Sequence, residues 1–184
     1  DPRLRTLRTW EMDHPVPPPD PATRDTDPRI RRAKLDAAIL NWIAPDFKAI
    51  HEVGPELPEE CINLFANDLE SVWFLVGVDL PDYRNWLNQR DLRPLYARHR
   101  LQLQLLQSRF PPTQRWVLKA PMHLLGLSAL LSTYPDAKII MTHRDPARVV
   151  ASEASLFVTM RRAFHDDVEP NAVGRELLDD LSTW

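Results

Sequence analysis

The stretch that decides the fold begins Gln114-Arg115-Trp116-Val117-Leu118-Lys119 and resumes, beyond an intervening segment, as Lys138-Ile139-Ile140-Met141-Thr142-His143-Arg144-Asp145-Pro146. Arg115 to Lys119 is a short apolar run, Pro121 to Thr133 reads as a helix through Leu124, Leu127, Leu130 and Leu131, and 138–142 is β-branched. A strand, helix, strand order predicts two parallel strands, 115–119 and 138–142, joined by a right-handed crossover and buried on both faces. Parallel strands end at one sheet edge, so Lys119 and Arg144 are expected to converge where open α/β sheets take their ligands. Asp145 is a good N-cap and Pro146 a good first helical residue, which puts Arg144 beside a helix N-terminus whose amides and dipole favour an anion. Arg148, Ser152, Ser155 and Thr159 follow as one polar stripe, with Val149, Val150, Phe157 and Met160 as apolar contacts elsewhere on the helix. The competing reading pairs Arg144 with Asp145 or a neighbouring acid and leaves the hydroxyl stripe in solvent.

Outward from this core the chain reads as helix. Asp27 and Pro28 start an amphipathic helix through Ile30, Leu35, Ala38, Ile39 and Trp42 that ends before Pro45. A second start signal is Leu57-Pro58-Glu59-Glu60, ahead of Ile62, Leu64 and Phe65, and the run 72–76 suits helix or strand. Helices are also expected over 83–89 and 94–109. Asp1 to Asp27 carries Pro2, Pro15, Pro17, Pro18, Pro19 and Pro21 and is expected to be extended, wrapping a surface rather than joining a sheet. The whole, 1–184, reads as a single α/β domain with a central parallel sheet: 1–27 extended, 28–113 mostly helical, 114–164 strand-helix-strand-helix.

Composition excludes several classes. With 43% hydrophobic and 27% charged residues the chain is globular, and 23 Lys plus Arg against 26 Asp plus Glu give no general attraction to nucleic acid or anionic lipid. Any anion site must be local. A single cysteine, Cys61, precludes an internal disulfide, and no Cys/His spacing suits zinc, so no metal is expected. No run reaches the length of a membrane span and no signal-peptide region is present, which gives a cytoplasmic location by elimination. Only 4 glycines occur, and none builds a phosphate loop.

Trp116-Val117-Leu118-Lys119-Ala120-Pro121-Met122-His123-Leu124, Tyr134-Pro135-Asp136-Ala137-Lys138-Ile139-Ile140, and Thr142-His143-Arg144-Asp145-Pro146 with Val149 and Ser152 resemble the core of the sulfotransferase family. The likeness is to its bacterial branch, similar to the tyrosylprotein sulfotransferases. Trp10-Glu11-Met12 with Pro15, Pro17 and Pro18, and Gly54-Pro55-Glu56-Leu57-Pro58-Glu59-Glu60-Cys61, extend it over residues 4 to 162. The resemblance implies a P-loop-like, three-layer fold and transfer of a sulfuryl group from 3′-phosphoadenosine 5′-phosphosulfate to a hydroxyl or amine. The acceptor would be a small molecule, lipid or carbohydrate. Arg144 and Ser152 would bind the donor's 3′-phosphate. The family's 5′-phosphosulfate loop precedes the section resembling Asp1 to Met12 and has no counterpart here. A fragment of such a domain, without turnover of its own, is therefore expected.

The chemistry needs an in-line acceptor oxygen, a base for its proton and cations for the leaving oxygen. Lys119 suits the last task, unless it is a strand-end lysine reaching water. For the base, Glu11 lies where the resembling enzymes carry a glutamate, its alternative being a surface acid. His123, four residues after Lys119, resembles with a slight offset the lysine and histidine pair of the cytosolic enzymes, its alternative being a core histidine. His51 is a third candidate. Two other classes remain: a P-loop kinase-like phosphotransferase, disfavoured because neither strand ends in an acid, and a catalytically dead helical binding module.

Overall fold

A computed structural model describes residues 3–183; Asp1, Pro2 and Trp184, where the sequence reading begins and ends, lie outside the described residues. The fold is helix-rich around one small parallel sheet. Two strands, β1 (Leu4–Arg5) and β2 (Arg115–Trp116), pair in the register Leu4 to Arg115 and Arg5 to Trp116. Three expectations are corrected here. The N-terminal section does join a sheet. The strand expected over 115–119 is ordered in a ladder only over its first two residues. The run 138–142 forms no ladder at all, and Ile140 is 91% exposed. An extended β-branched run becomes a strand only when a neighbour takes up its N–H and C=O groups, and among the described residues none does. The sheet therefore does not itself bring Lys119 and Arg144 to one edge.

The helices are α1 (Thr9–Asp13), α2 (Arg29–Ile43), α3 (Phe47–Ile50), α4 (Ile62–Ala66), α5 (Trp73–Gly77), α6 (Pro81–Asn88), α7 (Arg93–Gln107), α8 (Leu127–Thr133), α9 (Pro146–Arg162) and α10 (Pro170–Thr183). The ambiguous run 72–76 resolves as helix. Pro121–His123 is a 3-10 turn that breaks the single helix expected over 121–133. Gly126 opens α8 where the chain passes close to α7: a Cβ there would sit 2.5 Å from the buried Tyr96 ring. In α2 the Asp27 carboxylate accepts from Arg29 N at 3.0 Å, as the capping signal implies. Yet Leu35, Ile39 and Trp42 face solvent, and the helix buries Ile30 and Ala33 against Trp10 instead.

The main core joins α4, α7, α8 and the turn after β2 through Phe65, Leu95, Tyr96, Leu106, Met122 and Leu130. Fully burying side chains of this size stabilises by roughly 1.5–3 kcal/mol each. A second cluster, Ala44, Phe47, Val76 and Met160, packs α9 against α3 and α5. α10, which the sequence reading did not anticipate, lies on α9 and is fastened by the buried Arg161. Its guanidinium reaches Glu176 at 2.9 and 2.7 Å and the Leu75 carbonyl at 3.1 Å. That single cation ties α9, α10 and α5 together around a cavity.

Candidate functional site

The cavity has a volume of about 700 Å³. Leu40, Phe47, Val76, Leu156 and Phe157 contribute apolar lining, and His51, Glu59 and Glu60 contribute polar lining, with the His51 ring 5.9 Å from that of Phe47. α9 carries two distinct faces. Residues 153, 156, 157 and 160 recur at helical spacing and look into the cavity or its packed floor. Arg148, Ser152 and Ser155, on the other face, are exposed. Asp145 caps the helix as its sequence suggests, accepting from Ala147 N at 3.0 Å with Pro146 as the first helical residue. Arg144 precedes this cap, is exposed, and makes no ion pair among the described residues, so the competing pairing with Asp145 is not formed.

Lys119 lies past the ordered part of β2. Its ammonium pairs with the Glu60 carboxylate, and its carbonyl accepts from Cys61 N at 2.8 Å. These two contacts hold the 59–61 turn against the end of β2. His51 Nε2 meets the Glu59 carboxylate at 3.0 and 3.2 Å, and that hydrogen bond outweighs partial burial to raise the imidazole above its ordinary value of 6.5. Glu60 also acts on Glu153 of α9, whose carboxyl is pushed up first by burial and then by that like charge. Lys119, Glu60 and Glu153 thus form an electrostatic sequence from the sheet to the cavity face of α9. The sequence reading missed Glu60 and Glu153. Glu153 was detectable, since it falls in register with Phe157 and Met160.

The structure places Glu11 elsewhere. In α1, Thr9 and Asp13 line the cavity; Glu11 is about 200° away from each around the helix axis and points opposite. Its fully buried carboxylate accepts from Arg24 Nε at 2.8 Å, Arg5 Nη2 at 3.3 Å and Arg8 N at 3.2 Å. Burial pushes the Arg5 guanidinium down to about 10 despite this carboxylate. α1 is anchored to the Gly54-Pro55 loop, with Thr9 N donating to the Leu57 carbonyl at 3.3 Å and Trp10 N to the Pro55 carbonyl at 3.2 Å. Through these contacts Glu11 joins β1, α1 and the proline-rich section.

His123 also faces the core. Its Nδ1 shares a 2.8 Å hydrogen bond with the Tyr96 hydroxyl, Phe65 stands edge-on at 5.7 Å, and His99 lies beyond. Burial lowers His123 to about 4 and, with His123 as a second cause, lowers His99 to about 3. Both are neutral at pH 7. The Cys61 thiol, pushed up to about 12 by burial, is inert in the same core. Among the described residues no group of three His, Cys, Asp or Glu side chains is arranged to hold a metal, and no helix is long and apolar enough to cross a membrane.

The sequence profile of the sulfotransferase family matches residues 5–184, and the chain belongs to that family. Among solved structures it is similar to sulfotransferase STF1 of Mycobacterium tuberculosis, with 32% identity and a TM-score of 0.85 over 100% of this chain and 50% of that one. It is also similar to sulfotransferase STF9 of Mycobacterium avium, with 26% identity and a TM-score of 0.78 over 100% of this chain and 47% of that one. The chain therefore spans about half the length of these two proteins. No curated protein matches it in sequence.

Proposed function

We propose that this chain supplies the 3′-phosphate-binding and acceptor-binding parts of a sulfuryl-transfer site, within a P-loop-like α/β architecture. The observation that carries the reading is the division of α9. Its capped N-terminus and exposed face offer Arg144 and Ser152 to an anion, while its other face, Glu153, Leu156 and Phe157, walls the cavity. One rigid helix then holds donor and acceptor in fixed relation, which is what an in-line displacement requires.

The donor is 3′-phosphoadenosine 5′-phosphosulfate. Arg144 clamps its 3′-phosphate bidentately and Ser152 adds one hydrogen bond. The acceptor is a small molecule in the cavity. Its oxygen or nitrogen forms the new bond to sulfur, the bridging S–O bond breaks, and the 3′,5′-diphosphonucleotide leaves with the electron pair. Lys119 stabilises the charge growing on that leaving oxygen. The acceptor's proton passes to His51, oriented by Glu59 at the cavity, whose hydrogen bond raises the imidazole's proton affinity above its ordinary value. Glu11 and His123 act as positioning residues, the first through Arg5 and Arg24, the second through Tyr96.

Calorimetry with 3′-phosphoadenosine 5′-phosphate tests the reading. Saturable binding of one nucleotide per chain is expected. No binding, or binding that ignores Arg144→Ala, would overturn it.

A further inference from the structure

α2 has apolar residues on two sides, and only one side is covered. Ala33, Ala37 and Leu40 line the cavity, and Ile30 and Ala33 pack on Trp10. On the opposite side Leu35, Ile39 and Trp42 fall within about 60° of arc at 3.6 residues per turn, and they are 55%, 44% and 83% exposed. Arg31 shares that arc, Arg32 and Lys34 border it on either side, and all three are exposed. Asp36 is the only acid in the helix, and it meets Arg32 at 3.3 Å. Arg31 and Lys34 make no ion pair among the described residues. A chain whose net charge is -3 thus carries a local excess of positive charge around an uncovered apolar stripe.

We propose that this face of α2 docks on an anionic lipid bilayer. Leu35, Ile39 and Trp42 enter the boundary between headgroups and acyl chains, and Arg31, Arg32 and Lys34 meet the lipid phosphates. An exposed apolar patch rimmed by charge marks an interaction site, and a bilayer asks of a surface helix a narrow apolar stripe, an aromatic anchor and flanking cations. Trp42 suits the anchor, with an apolar ring and one N–H donor for the headgroup level. Other occupants fit less well. Three side chains of this size cannot supply the roughly 800 Å² that each partner of a stable protein interface buries, so a second copy is disfavoured. Nucleic acid offers phosphates but no seat for the stripe. The docking rests on this surface alone and not on sulfuryl transfer, although α2 would then stand between the bilayer and the cavity.

The test is co-sedimentation of the full chain, at neutral pH and low salt, with phosphatidylcholine vesicles that lack or contain about one-third phosphatidylglycerol. The anionic vesicles should bind it at least tenfold more tightly, and added salt should release it. The double variant Arg31→Gln, Lys34→Gln should bind them about 25-fold more weakly, roughly fivefold for each cation, with an unchanged melting temperature. Vesicles with brominated acyl chains should quench part of the tryptophan emission, and Trp42→Phe should remove that part while the protein stays bound. Equal binding to the two vesicles, an affinity indifferent to the two cations, or quenching unchanged in Trp42→Phe would overturn the proposal. A concentration-dependent dimer that Trp42→Ala dissolves would also overturn it, assigning the face to a second copy. Should the double variant fail to fold, the wild-type vesicle comparison and the quenching decide the question.

Discussion

Cys61 donates its backbone N–H to the Lys119 carbonyl at 2.8 Å, joining two segments 58 residues apart at the end of β2. Lys119 and Glu60 are thereby held side by side, and Glu59 is turned toward His51. Lys119→Ala should lower sulfuryl transfer roughly 10²–10³-fold, the usual worth of one group stabilising a developing anion, wherever turnover of the protein is followed by nucleotide release. Nucleotide affinity should change much less, since the interaction strengthens only as the leaving oxygen gains charge.

The His51–Glu59 pair makes a pH-dependent contribution. Because the folded imidazole is raised above its unfolded value, the pair's stabilisation is fully present below about pH 6.5 and lost as pH rises through the folded value. Thermal melts of wild type and His51→Gln should therefore differ most below about pH 6.5 and converge as pH is raised through the folded value. A difference that grows with pH would contradict the assignment.

Glu11 is a stability residue on this geometry. Glu11→Gln removes the one negative partner shared by the buried Arg5 and the partly buried Arg24, and should cost about 3–5 kcal/mol in denaturant titrations, the range for breaking a buried pair. Calorimetric affinity for 3′-phosphoadenosine 5′-phosphate should be unchanged. A fully stable Glu11→Gln protein would return the residue to the reacting centre.

How legible this was in the sequence depends on how local each signal is. Asp145-Pro146 states a helix start within two residues, and the structure has it there. The Lys138–Thr142 run carries strand composition, but a strand is a relation between two segments, and no local pattern shows whether the partner is present. The pairing of Leu4 with Arg115 is the opposite case: two residues in a proline-rich section give no period to read. α1 has only five residues, so the phase that sends Thr9 and Asp13 to the cavity and Glu11 away from it cannot be taken from spacing alone. α10 was readable, with Pro170 at its start and Val173 and Leu177 buried four residues apart. The exposed apolar stripe of α2 shows the converse failure, since helical periodicity identifies a face without saying what covers it.

Arg144→Ala should weaken binding of the 3′,5′-diphosphonucleotide by about 2–5 kcal/mol, and Ser152→Ala by about 1 kcal/mol. Arg144 has no ion pair among the described residues, so its loss leaves no acid uncompensated and the melting temperature should stay constant. Equal affinity in wild type and Arg144→Ala would remove the guanidinium from the site.

His99 and His123 should dominate the loss of stability in mild acid. Both are neutral in the folded core, lowered to about 3 and about 4, whereas in the unfolded chain each takes up a proton near pH 6.5. The unfolded state then binds more protons below that pH, so the stability they permit is present above about 6.5 and is lost as pH falls toward their folded values. At pH 5 each deprotonated histidine accounts for a loss of about 2 kcal/mol relative to pH 7.5. His123→Asn keeps a group able to face the Tyr96 hydroxyl and removes one titrating site, so the drop in unfolding free energy between pH 7.5 and 5 should shrink by about that amount. His51→Gln should not reduce that drop, because Glu59 raises the folded imidazole above its unfolded value, so this site favours the folded state as pH falls. If His123→Asn instead leaves the acid dependence of stability intact while abolishing sulfuryl transfer, the imidazole reaches the acceptor and the assignment of the proton to His51 fails.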